Sequence, residues 1–146
     1  MNDKRKSKTS LVLMELMISI LFFSLASAVC IQLFVKAHQI GQQTKELNFA
    51  MKEAQCFAEI MRGTDGSLES IMAVYPGCVP GDGNYFDVFY DENFNQCVPQ
   101  EAVYVSDVTL TATGAIQNMD IKVVKLENYE HIYSLTATKY MNTPKG

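Results

Sequence analysis

The sequence predicts an α+β chain in which a long N-terminal helix packs on a C-terminal antiparallel sheet of three to four strands. Three observations predict it. Residues 11–35 form an apolar run containing a single charge, Glu15. No proline occurs between Leu11 and Tyr75, so nothing forbids one continuous helix to about residue 62. Farther along, apolar and polar residues alternate with the period of a strand.

The first element is a basic leader, residues 1–10, in which Lys4, Arg5, Lys6 and Lys8 stand against Asp3. The second is the run LVLMELMISILFFSLASAVCIQLFV, residues 11–35. As a helix it spans about 37 Å at ~1.5 Å per residue, enough to cross a ~30 Å hydrocarbon core with some tilt. The basic tail assigns the N-terminus to the cytoplasmic side and residues 36–146 to the outside. Chain averages conceal this division. A net charge of -4 and 48% hydrophobic residues over 146 positions, with mean hydropathy +0.01, would suit a plain soluble protein. From Lys36 onward 8 basic residues face 14 acidic ones, and no basic stripe marks a nucleic-acid partner.

Residues 36–62 continue the helix as an amphipathic segment. Leu47, Met51, Ala54, Ala58 and Met61 follow in steps of four and three, with Ile40 one turn and more before them. Phe49, Cys56 and Ile60 form a second apolar strip, and Lys45, Glu46, Lys52, Glu53 and Glu59 fill the polar remainder. The stripe lasts about two heptads, so packing on its own domain is expected rather than a coiled-coil seam. Gly41 is a soft point, and Gly63 with Gly66 supplies the stop.

Residues 63–146 read as the β domain. Phe86, Val88 and Tyr90 share one face of a strand at 85–90. In 102–113, Tyr104, Val108, Leu110 and Ala112 face one way, and Thr109, Thr111 and Thr113 the other. Residues 121–126 make a short apolar strand. Residues 131–140 set Tyr133, Leu135 and Ala137 opposite Ser134, Thr136 and Thr138. Residues 114–118 and 127–130 have hairpin length. One sheet face is wet, and the helix stripe is the cover for the dry one.

Three readings compete for the apolar run. Ala26-Ser27-Ala28 matches a signal-peptide cleavage pattern, although residues 31–35 prolong the run past it. Lipidation at Cys30 would need a small residue where Val29 stands. A plain membrane anchor is the second reading. The third begins at Glu15, because a carboxylate within an apolar helix costs on the order of 2.5–3.5 kcal/mol on insertion scales.

The setting Ser10-Leu11-Val12-Leu13-Met14-Glu15, with a basic leader before it and about twenty apolar residues after it, resembles the N-terminus of type IV prepilins and pseudopilins. The resemblance implies cleavage by a membrane prepilin peptidase between Ser10 and Leu11 and N-methylation of Leu11. It makes Glu15 the fifth mature residue, pairing with the new terminal amine of a neighbouring pilin-like subunit. It also implies the pilin architecture of long helix plus sheet, a single-pass precursor in the lipid membrane, and a surface filament after assembly. The chain departs from the family at the junction: Ser10 replaces glycine, Leu11 phenylalanine and Val12 threonine, and residues 27–32 lack the proline of many major pilins.

Cysteines stand at 30, 56, 78 and 97, with Cys30 inside the membrane run. Cys78 and Cys97 flank a loop containing Gly81-Asp82-Gly83-Asn84 and the first strand. A bridge between them would stabilise by about 3 kcal/mol in the loop-entropy model, and the resemblance implies one disulfide in this part of the chain. Cys56 pairing with either, or three reduced thiols, are the other arrangements. The spacings match no zinc motif.

No catalytic residue, metal site or cofactor is indicated. His38 and His131 read as solvated side chains, and the sequence holds no GxSxG, HExxH, P-loop or dinucleotide fingerprint. Asp82, Asn84, Asp87, Asp91 and Glu92 lack EF-hand spacing and read as an acidic loop. Tyr129, Tyr133 and Tyr140 read as sheet packing. The expected function is structural, as a minor pilin or pseudopilin subunit of a pilus-like filament or of a secretion or DNA-uptake pseudopilus. The alternative is a membrane-anchored extracellular binding domain that does not polymerise.

Overall fold

The computed structural model describes residues 3–141, with side chains from residue 8 onward; the basic side chains at positions 4–6 lie outside that range. The chain divides into two compact units, residues 1–43 and 44–146. Helix α1, Asp3–Gly63, contributes to both. Among the described residues of the first unit it is the whole structure, and the large apolar side chains from Leu11 to Val35 are exposed. This helix is long and apolar enough to cross a membrane.

The second unit is α+β: the remainder of α1 packs on a five-stranded antiparallel sheet. Ala50, Ala54, Phe57, Ala58 and Met61 turn to the core. The buried stripe is rotated from the one expected on Leu47 and Met51. Leu47 is exposed and Met51 is half-buried. The rotation brings Phe57, the larger apolar body, fully inside. Its ring meets Tyr75 at 4.7 Å and Phe86 at 5.7 Å. Small Ala50 and Ala54 let the backbone approach the sheet beside it.

At its end α1 hands its free carbonyls to donors. Thr64 returns its N–H to the Ile60 carbonyl at 3.0 Å. The Lys139 ammonium donates to the carbonyls of Met61 and Arg62 at 3.0 and 3.4 Å, and also to that of Thr64. A cation here also complements the negative end of the helix dipole. The next element, α2 (Leu68–Val74), was not expected. Ser67 caps it by accepting from the Ser70 N–H, and the Asp65 carboxylate accepts from the Ser67 N–H and hydroxyl at 2.9 and 2.7 Å.

The sheet is a meander of β1 (Val79–Pro80), β2 (Tyr85–Tyr90), β3 (Tyr104–Thr113), β4 (Ile116–Lys125) and β5 (Glu130–Tyr140). It has more strands than the three to four expected, because the short β1 adds to the edge of β2. Strand β4 starts at Ile116 rather than 121. The loop assigned to 114–118 shrinks to Gly114 and Ala115, with Gly114 at φ 62. Phe86, Val88, Tyr90, Tyr104, Ser106, Val108, Leu110, Met119, Ile121, Val123 and Ala137 form the dry face. Ala112, expected there, is exposed. The other face bears rows such as Tyr85, Thr109, Asp120 and Thr136 across β2 to β5.

Candidate functional site

Ser10, Leu11 and Glu15 lie on one uninterrupted stretch of α1. Glu15 falls one helical turn after Leu11, so both share a face. With Met14, Ile18 and Ser19 they line a shallow open groove on the helix surface. The Ser19 hydroxyl donates to the Glu15 carbonyl at 2.9 Å, and Ser24 does the same to Ile20 at 2.8 Å. Both hydroxyls are thereby satisfied within the helix and add no unpaired donor to an apolar surrounding. The Glu15 carboxylate has no ion pair among the described residues.

In the second unit two further carboxylates of α1, Glu46 and Glu53, are held by side chains of the sheet and of α2's end. Glu46 Oε1 accepts from the Tyr104 hydroxyl and from Lys125 Nζ, each at 2.9 Å. Glu53 Oε2 accepts from the Tyr75 hydroxyl at 2.6 Å and the Tyr90 hydroxyl at 2.9 Å, and the two phenol oxygens stand 3.1 Å apart. Burial, with Glu53 beside it, pushes the Tyr75 phenol up to about 12. Burial likewise raises Tyr90 and Tyr104. The three phenols therefore keep their protons and act as donors through the ordinary pH range. Phe49 lies between the two carboxylates in sequence, stacked on Phe94 at 4.6 Å and edge-on to Tyr90 at 4.8 Å. By sequence alone Glu46 and Glu53 belong to the polar remainder of the helix, with no partner indicated. Their heptad spacing around Phe49 was the available signal.

All four cysteines carry free thiols, so the expected Cys78–Cys97 bridge is not made in this structure. The Cys78 thiol turns instead to the Tyr75 carbonyl at 3.2 Å. Burial pushes it up to about 11, which keeps it protonated. Strand pairing nevertheless sets both residues on the same edge of β2. Cys78 precedes Val79, the partner of Asp87, and Cys97 donates its N–H to the Phe89 carbonyl at 3.0 Å.

His38 faces Gln42 one turn on, and His131 is exposed on β5. The acidic loop does not converge. Asp91 accepts from the Asn93 and Asn95 N–H groups at 2.8 and 2.9 Å, whereas Asp87 faces Asp107 across the β2–β3 pairing. No cluster of metal-ligating side chains occurs among the described residues. Of the three tyrosines expected to pack on the sheet, only Tyr133 does so; Tyr129 and Tyr140 are 81% and 70% exposed. Their positions explain this, since Tyr129 occupies the β4–β5 turn and Tyr140 the last position of the edge strand.

Comparison with protein-family models, with curated proteins and with solved structures finds no match to this chain.

Proposed function

We propose that the chain is a structural subunit, a minor pilin or pseudopilin, of a type IV pilus-like filament or of a secretion or DNA-uptake pseudopilus. In this reading the apolar part of α1 holds the precursor in the membrane, with the leader cytoplasmic and the second unit outside. A prepilin peptidase removes the leader before Leu11, and the freed amine is N-methylated. Before the cut no α-amine exists near Glu15. The cut creates one, and a neighbouring subunit's Glu15 becomes its counter-ion. Each buried carboxylate then gains a cation, and loss of either partner leaves an uncompensated charge.

The observation that carries this reading is Glu15 itself. It is the fifth residue from Leu11, exposed on an apolar helix and without an ion pair among the described residues. The second unit fits a displayed domain, since its helix and sheet bury a core of their own. Ser10, standing where the family has glycine, favours a second reading: an anchored extracellular binding domain that keeps its leader.

Mass spectrometry of the mature N-terminus separates the two. A methylated Leu11 start is expected; a start at Met1 or Asn2 sinks the filament reading in favour of the anchor. Glu15→Ala is expected to leave insertion intact and to impair incorporation into filaments; normal incorporation would count against the pairing role.

A further inference from the structure

We infer that the outer edge of β5 is a docking edge for an extended segment of another protein. The segment adds antiparallel, alternates apolar and hydroxyl side chains, and ends at its C-terminus in cationic residues.

The two edges of the sheet are treated differently. On one side β1 is only two residues long and includes Pro80, which has no N–H to offer. The rest of that edge is occupied by the Tyr90–Gln96 bridge and by the Cys97 N–H. On the other side β5 runs for 11 residues as the terminal strand. Residues 132–138 contain no charge, glycine or proline. Lys139, the strand's lysine, is turned away onto the carbonyls at the end of α1. A long edge without a gatekeeper is a template for another strand.

The core is also open along this side. Ile132, Tyr133 and Leu135 pack against it yet stay partly exposed. Apolar residues on an added strand would complete their burial. On the opposite face Thr136 and Thr138 donate to Asp120 and Asn118 at 2.6 and 2.9 Å, a hydroxyl row that a partner's threonines or serines would extend. Exposed Tyr129 and Tyr140 bracket the edge, and Tyr129 is held at φ 54. Exposed tyrosines at both ends are fitting anchors for an interface.

Charge sets the polarity of the segment. Glu127 and Glu130 are exposed at the start of β5, while Lys125 is held by Glu46. The C-terminal end of an antiparallel partner lies there, so lysine or arginine belongs at that end.

The test is amide hydrogen exchange on the full chain in detergent micelles. The probe is a short synthetic peptide alternating valine and threonine and ending in two lysines. The expected result is slowing of β5 amides by about tenfold, with β1 and β2 unchanged. The same peptide with its lysines at the N-terminus, or the Glu130→Lys variant, weakens the effect about tenfold. No slowing in β5, or equal slowing by both peptides, overturns the proposal. So does concentration-dependent slowing without peptide, because a second copy then occupies the edge. Leader processing is measured separately, so failure of the filament reading is distinguishable from failure of the docking edge.

Discussion

Tyr90 of β2 and Glu53 of α1 are joined by a hydrogen bond of 2.9 Å across the helix–sheet boundary. Tyr75 shares the same carboxylate oxygen at 2.6 Å. Tyr90 is only 1% exposed, and without Glu53 its hydroxyl keeps only the Tyr75 oxygen, 3.1 Å away, as a partner. Glu53→Ala is expected to lower stability by about 2 kcal/mol, the cost of removing a charged acceptor shared by two phenols. Glu53→Gln keeps an acceptor and is expected to cost roughly half as much. Denaturant unfolding of both variants checks this. Equal losses for both would mean that packing of the longer side chain, not the hydrogen bonds, matters at this position.

The membrane-length run and the alternation of residues 85–90 were legible because each is a local pattern, and β2 buries alternate residues as predicted. The start of β4 was not. Gln117 and Asn118 look like loop residues, and they join the ladder only because Ala112 and Thr111 stand opposite. The seven residues of α2 are too few to establish a helical period. The roles of Glu46 and Glu53 were not legible for another reason: a charged helix residue shows no partner in its own neighbourhood. Those partners, Tyr104, Lys125, Tyr75 and Tyr90, come from distant parts of the chain.

Asp87 and Asp107 oppose each other directly across β2 and β3. Burial first, then the Asp107 charge, holds the Asp87 carboxyl above its ordinary value. A carboxyl with a raised folded value binds its proton more readily in the folded chain. Its contribution is therefore full below the unfolded pKa, about 3.9, and is lost as pH rises through the folded value. Asp65 has the opposite sign. Hydrogen bonds from Ser70 and Ser67 bring it down to about 2, so its contribution is present above about pH 4 and lost as pH falls toward 2. Stability is expected to rise on mild acidification from neutral pH and to fall again below about pH 4. Asp87→Asn should remove the rise and stabilise the neutral protein by roughly 0.5 kcal/mol, the scale of a cross-strand pair. Thermal unfolding across pH checks it; an Asp87→Asn profile parallel to the parent's would refute the assignment.

Gly81 lies under the Tyr85 ring. A methyl group placed there would stand 1.9 Å from Tyr85 Cζ, while the Gly81 N–H donates to the Tyr85 carbonyl at 3.1 Å. Only glycine allows both contacts. Gly81→Ala is expected to drive the ring off the β1–β2 connection and to cost about 1–2 kcal/mol. In a Tyr85→Ala background the same change should cost little, because the obstructing ring is gone. A double-mutant cycle by chemical unfolding reads that difference. Additive losses would show that backbone conformation, not the ring, demands glycine.

Cys78 and Cys97 sit along one edge of β2, through the Val79–Asp87 pairing and the Cys97–Phe89 hydrogen bond. Both thiols are raised, Cys78 by burial and Cys97 by burial with Asp91 and Glu101 nearby. Raised thiols react slowly at neutral pH, since the thiolate is the nucleophile. Oxidation is therefore expected to be slow near pH 7 and to speed up as pH rises. A bridge would tie down the residues after Asp91, including Phe94, whose ring stacks on Phe49. Air or a mild oxidant at pH 8.5 should remove two free thiols and yield a Cys78–Cys97 peptide on digestion. The oxidised chain should gain about 3 kcal/mol against denaturant, the loop-entropy value. Cys97→Ser should abolish both effects, whereas Cys56→Ser should leave them intact. A Cys56-containing disulfide instead would contradict the pairing geometry of β1 and β2.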